Sequence, residues 1–481
     1  MKKNHIFLAL LFIMMPMFAG AQALKGSYFL DNSINSHKLN PAFTPRANYF
    51  QLPVIGNTGV GLYTNLDLPT FMYPLENGKL GTFLHPEVSV EQFDKNLAKH
   101  PNFDVDASTT LFSMGFFTKN KAFWNFTLDA NVVLDADLPR DLLFFMKKGT
   151  GTDGGSFNVG NTNVYATAGI RASLGYSREF VKNLRTGVKV RFIAPVAYAA
   201  LNLENVRLNT SADKWQIQTE GYLHTALSGL DITIPYEEGG SPVTFDPYQC
   251  LSTFGLAGMG FSVDLGASYV LDLGTPLDGL TLSASVIDLG KIIYSADAVS
   301  SYESHGNMEW AGISVEDQFT FNNLFDEVLA QAESLVNLSE IQNPAGMTRS
   351  TMPSVYLGAE MPFLKNKMSV GLLYSARFSH SYVRDELTVS YNLTPSKAFA
   401  LGLNYSFLNT GGTVGAMMEF TPKVGPTLYF GCDYFPSSYG KLSMPKIFTV
   451  DLPFPMSWRL NFNFGMAFNL GSKHVNPKRV K

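Results

Sequence analysis

The chain has 481 residues, of which 46% are hydrophobic and only 16% charged, against about 25% charged in ordinary soluble domains. Its formal net charge of −4 provides no basic surface to neutralise phosphates, so nucleic acid is not an expected partner. No segment beyond the first residues reaches the roughly 18 consecutive apolar positions of a membrane helix. Two cysteines, Cys250 and Cys432, make no scaffold, although one bridge between them stays open.

Residues 1–21 read as a secretory signal peptide. Lys2 and Lys3 lead an apolar run from Ile6 to Phe18, and Ala19-Gly20-Ala21 fits the small-x-small rule, which places cleavage at about Ala21/Gln22. Residues 22–47 form an N-terminal segment, read as a plug or a periplasmic lead-in. A single barrel domain follows over 48–470, with a basic tail at 471–481. Its first strands are expected near 48–54 and 57–64. Ser89-Val90-Glu91-Gln92 has the form of a capping box and opens a short helix to Lys99. Strands follow near 107–117 and 126–135, then a short helix from Asp137 to Lys147. A Gly-rich loop over 145–162 separates these from the next strands.

The cleanest alternation runs from Val164 to Ser177, with Ala166, Ile170 and Leu174 on one phase and Thr167, Arg171 and Ser173 on the other. Successive strand residues point to opposite faces, so two environments are being served. Further strands are expected near 187–196, 199–209, 213–223, 261–271, 279–294, 353–361, 367–377, 384–392, 399–407, 412–420, 426–434 and 458–470. A long loop is read at 231–257, and an apolar helical spacing at 322–337 gives one more helix. The count is about 14 strands, in a range of about 14–16.

A secreted β-sandwich would also alternate, but its strands would be shorter and its polar face richer in Lys and Glu. Here the polar phase is mostly Gly, Ser, Thr and Asn, and aromatic residues (Tyr176, Tyr269, Tyr405, Tyr434, Trp458) fall near strand ends, as in the girdles of outer-membrane barrels. The fold class expected is therefore all-β, a transmembrane antiparallel β-barrel with a few short helices. Its polar phase places Asp129, Arg171, Lys189, Arg191, Asp264, Arg377 and Arg459 at the lumen. These charges serve either a polar passage or a barrel filled by its own ion pairs. No nucleophile elbow, phosphate loop or His/Cys metal spacing stands in the sequence, so no catalytic residue, cofactor or metal is assigned.

Two short motifs carry a resemblance. Leu39-Asn40-Pro41-Ala42-Phe43-Thr44-Pro45 follows the signal, and Ser285-Val286-Ile287-Asp288-Leu289-Gly290 closes a strand. With the Ala21/Gln22 junction they resemble a family of uncharacterised Bacteroidota outer-membrane β-barrels, a domain of unknown function. Their Asn-Pro-Ala-Phe start is shared more loosely with long-chain fatty-acid transporters and type IX secretion barrels. The resemblance marks Asn40, Pro41, Phe43, Asp288 and Gly290. It implies a barrel of the cell outer membrane, in contact with its lipid, and supplies no substrate; the function read for such a barrel is transport or binding of a small hydrophobic molecule. The alternative is a closed barrel that binds envelope or secretion-machinery proteins. The break of alternation at Ile287-Asp288 predicts a bulge or a strand end.

Overall fold

The structure is a computed structural model. It describes residues 24–30, 33–76, 80–148, 155–210, 215–227, 255–272, 274, 278–310, 338–342, 344–380, 382–408, 411–422, 425–435, 439–442, 452–455 and 459–470. The signal peptide, the helix read at 322–337, Cys250, Trp458, the tail at 471–481, and most of the loop at 231–257 lie outside these residues.

Among the described residues, 14 antiparallel strands close into a barrel. They are β1 (Asn48–Gln51 and Thr58–Thr64), β2 (Asn102–Phe117), β3 (Phe123–Asp137), β4 (Thr162–Val181), β5 (Leu184–Thr210), β6 (Gly258–Val270), and β7 (Thr281–Tyr294). The ring continues with β8 (Met347–Ser350 and Ser354–Phe363), β9 (Met368–Phe378), β10 (Val383–Ser396), β11 (Phe399–Leu408), β12 (Gly411–Phe420), β13 (Thr427–Phe435) and β14 (Leu460–Leu470). Each pairs with its neighbour in chain order, and β14 pairs with β1, so the wall has no free edge. Closure matters because an open edge would leave backbone polar groups unpaired in lipid.

The alternation has a direct structural cause. Leu174, Phe192, Leu265, Phe407 and Phe464 stand on the outer wall, while Ser173, Ser262, Asp264, Ser406 and Asn463 are buried inside. The outer band is the surface a hydrocarbon layer accepts, and the polar phase lines the lumen. Tight connections at 118–122, 182–183, 364–367 and 397–398 gather at one end. Asn183, with φ 68°, and Lys121, with φ 55°, supply left-handed turn positions there. The connections at 65–101 and 138–161 leave from the other end. They build a cap in which α1 (Val90–Asn96) and α2 (Arg140–Lys148) bury Tyr73, Phe83, Phe93 and Leu143. The capping box at Ser89 and Gln92 is formed in both directions.

Three expectations change. The segments at 48–54 and 57–64 are one wall strand interrupted by an excursion, since both pieces pair with β2 and β14. The segments at 187–196 and 199–209 are one strand of 27 residues, β5. Its first half pairs with β6. Its second half carries Trp215–Leu227, which pairs in turn with Val299–Trp310 in a sheet projecting beyond the barrel. The strand read at 213–223 is thus no part of the wall. Tyr434 is turned inward and buried instead of joining an outer girdle.

β-Bulges explain that inversion. β13 has one residue more than β12 between Cys432 and Phe435, so Asp433 and Tyr434 both face the lumen. In β7 the predicted irregularity is present: Ile287 and Asp288 together stand opposite Asp264, and Asp288 has φ 61°. β2 is bulged next to Thr110. An extra residue re-aims the side chains that follow it, and all three bulges aim polar groups inward.

A closed barrel kept folded in detergent should migrate differently on a gel before and after heating. Gly266→Val should lower the temperature at which that difference is lost, because a Cβ there would lie 2.1 Å from the Asn40 side-chain oxygen; overpacking of this kind costs about 1–3 kcal/mol. Gly61→Ala, whose Cβ would meet nothing nearer than 3.7 Å, should leave it unchanged.

Candidate functional site: a plugged lumen and its charge network

Residues 24–47 run inside the barrel, and nearly all of the described ones are buried. A chain with little regular structure must satisfy its backbone on the surrounding wall. The main-chain N–H groups of Lys25 and Gly26 donate to Asp433 at 2.7 and 2.9 Å. The Lys25 ammonium pairs with Glu386 and donates to the Tyr434 hydroxyl at 2.6 Å. Farther along, Tyr28, Phe29, Leu39 and Phe43 pack with the wall residues Tyr356 and Leu373. The rings of Phe29 and Phe43 stand edge-on to Tyr28 at 4.9 and 5.0 Å.

The two motifs that carried the resemblance meet here. Asn40 donates through Nδ2 to the carbonyls of Ala267 and Ala284 at 3.2 and 3.3 Å, and its Oδ1 accepts from the Ala42 N–H at 2.9 Å. Ser285, which opens the second motif, donates to the Leu39 carbonyl at 2.7 Å. Pro41 lies so close to the wall that a Cβ on Gly187 would be 2.2 Å from its carbonyl oxygen. Gly290 serves packing of the same kind within the wall, with the Phe261 carbonyl in the place of a Cβ.

Beside the plug lies a network of ion pairs. Arg191 bridges two carboxylates, Asp264 and Asp288, at 2.8 Å each. Arg171 reaches the other oxygen of Asp288 at 3.1 Å, and Ser262 donates to Asp288 at 2.7 Å. The Asp288 N–H donates to Asp264 at 2.7 Å, an arrangement the left-handed bulge makes available. Across the lumen Arg377 pairs with Asp106, and Arg384 with Asp104 at 3.4 Å. Such pairs hold together only when their lone pairs and protons find further partners, as Asp288 does.

Two lysines join network and plug. Lys189 donates to the His37 carbonyl at 3.1 Å. Lys38 donates to Thr110 at 3.0 Å and lies 3.6 Å from Asp129, which also accepts from Thr110 at 2.7 Å. These groups border a lumen cavity of about 180 Å³ that also touches Leu39, Val133, Ile287, Ile292, Met352 and Tyr356.

Of the charges predicted for the lumen, Asp129, Arg171, Lys189, Arg191 and Arg377 line this cavity. Asp264 lies behind Arg191, fully buried. Arg459 is not brought to the cavity; it sits just before β14 and pairs with Asp67 at 3.4 Å. Sequence reading missed Lys25, Lys38, Asp104, Asp106, Arg384, Glu386 and Asp433. For Arg384 and Glu386 a signal existed, since they share the phase of Thr388 and Ser390. Asp104 and Asp106 precede Ser108 and Thr110 in the same way.

Glu386→Gln should destabilise the fold by about 3–5 kcal/mol, the cost of leaving a buried ammonium without its counter-charge. The double variant Lys25→Met, Glu386→Leu should recover most of that loss in denaturant titrations. Acid should act through two histidines. His380, in the turn between β9 and β10, is held down to about 4 by burial first and then by Arg349 and Arg377. Burial, with Lys189 and Lys38 nearby, holds His37 well below its ordinary range. The unfolded chain therefore takes up protons first. Their contribution is complete above pH ~6.5 and falls as the pH drops toward the folded values. From about pH 7.5 down to about 4.5 the melting temperature of the wild type should therefore fall relative to that of His380→Gln.

Residues 41–433 match the family described as "Family of unknown function (DUF5723)". No curated protein matches the chain. Solved structures similar to it include the Pseudomonas putida toluene transporter TodX (10% identity, TM-score 0.37, 94% of this chain and 96% of that one). A Pseudomonas aeruginosa FadL homologue gives 11% identity and a TM-score of 0.41 over 94% and 98%. The translocator domain of the autotransporter NalP from Neisseria meningitidis gives 9% and 0.31 over 88% of each chain. The match over most of its length shows that the chain belongs to this family of unknown function.

Proposed function

We propose that this protein resides in an outer membrane and binds a small molecule in its lumen as a step in transport, with residues 24–47 as the plug that bars free passage. The apolar outer band supports the membrane, and the gathering of long connections at one end supports an orientation with that end outside. The observation that carries the binding reading is the cavity of about 180 Å³ between plug and wall. Its lining joins ion pairs to Leu39, Val133, Ile287, Ile292, Met352 and Tyr356. That mixture suits a molecule with an apolar body and a polar end. This narrows the small hydrophobic cargo expected from the sequence reading.

A second reading, a closed barrel that serves envelope protein partners, is favoured by how firmly the plug is tied at Lys25, Asn40 and Leu39. The two readings part in a reconstituted bilayer. In proteoliposomes the wild-type protein should pass small solutes slowly, and Lys25→Met combined with Asp433→Asn should raise the rate several-fold by freeing the plug. No passage in either protein, together with stable co-purification of envelope proteins, would replace transport by the partner-binding role. Fractionation with soluble periplasmic contents would remove the membrane reading altogether.

A further inference from the structure

We infer that the lumen cavity holds a specific site for a small monoanion, a carboxylate, centred on Lys189. The inference rests on the lumen-binding reading and adds the charge of the ligand's polar end. Lys189 and Arg191 are successive inner-face residues of β5, opposite Gly175 and Ser173, and Arg171 follows on β4 opposite Ile193. Lys38 of the plug faces the same cavity. Against these four cations stand three carboxylates, Asp129, Asp264 and Asp288, while Arg377 and Asp106, which also line the cavity, pair with each other.

Each carboxylate is already engaged. Asp264 stands opposite Lys189 in the ladder, yet one of its oxygens is taken by Arg191 and the other by the Asp288 N–H. Asp288 is shared by Arg171, Arg191 and Ser262. Asp129 stands opposite Arg171 and serves Thr110 and Lys38. Lys189, only 2% exposed, has the neutral His37 carbonyl as its hydrogen-bond acceptor, and no carboxylate of the described residues lies within 4.0 Å. A buried ammonium without a counter-ion is poorly stabilised. Farther along the same face, beyond Arg191, Arg171 keeps its buried Nε–H without an acceptor.

The surplus is one positive charge, at Lys189. A carboxylate supplies one negative charge and an oxygen that accepts from the ammonium, on a carbon body that suits the apolar part of the lining. A phosphate group with about two charges would overshoot. The apolar lining at Ile287 and Ile292 leaves room for a short carbon chain, not for a second charge.

The test uses the full-length protein in detergent, with its fold checked by heat-shifted migration. Melting temperature is followed against acetate, chloride and acetamide. Acetate should stabilise the wild type saturably, at concentrations at least about tenfold below those at which chloride or neutral acetamide act. Lys189→Met should lose that preference, while Lys189→Arg and the exposed Lys182→Met should retain it. Equal effects of acetate and acetamide, equal effects of acetate and chloride, or a Lys189→Met protein that still prefers acetate would each overturn the inference. Acetate binding without solute passage in liposomes would leave the site standing and remove the transport reading instead.

Discussion

A polypeptide segment taken into a confined lumen brings its N–H and C=O groups with it, and each must find a partner where little water remains to serve. Much of this barrel follows from that demand. Asp433 receives two main-chain N–H groups of the plug, Asn40 answers two carbonyls of the wall, and Ser285 and Lys189 answer the carbonyls of Leu39 and His37. Where no side chain is needed, the wall withdraws one. Gly187 and Gly266 let the Asn40–Pro41 backbone lie directly against the strands.

The bulges are the means by which a regular wall meets an irregular guest. A strict two-residue period offers the lumen every second side chain. At Ile287–Asp288 and Asp433–Tyr434 the period is broken, and Asp288 and Tyr434 land where the ladder alone would not have put them. Asp288 organises the arginines, and Tyr434, beside Asp433, accepts from the plug lysine. Charge inside the barrel is therefore arranged as closed sets of pairs, with Arg191 forked across two carboxylates. Lys189 stands out because it answers a carbonyl while its neighbours answer carboxylates.

The wall was legible in the sequence because a lipid face and a lumen face impose opposite chemistries on alternate residues. Val164 to Ser177 shows this without interruption, and the same phase located Arg171, Lys189 and Arg191. The break at Ile287-Asp288 was visible as a fault in that rhythm. Tyr434 was not, since its bulge lies near a strand end where too few residues follow to reveal a changed phase; Asp433 keeps the phase of Tyr429 and Gly431. The plug contacts were hidden for another reason: Lys25 and Glu386 are distant in the chain and share no period. The break in β1 made one strand look like two. β5 was divided at 197–198 in the sequence but not in the ladder, whose register with β4 shifts beside Pro195 and then continues.

The plug bears on how the ring is held together. Residues 24–47 come before β1, and β1 joins β14 to complete the ring. The plug touches β5, β6, β7, β10 and β13, which lie on several sides of the lumen. The segment therefore ties strands from different parts of the ring to one another through contacts that the wall's own ladder does not make. It works as an internal brace, and the glycines at Gly187 and Gly266 record its outline in the wall.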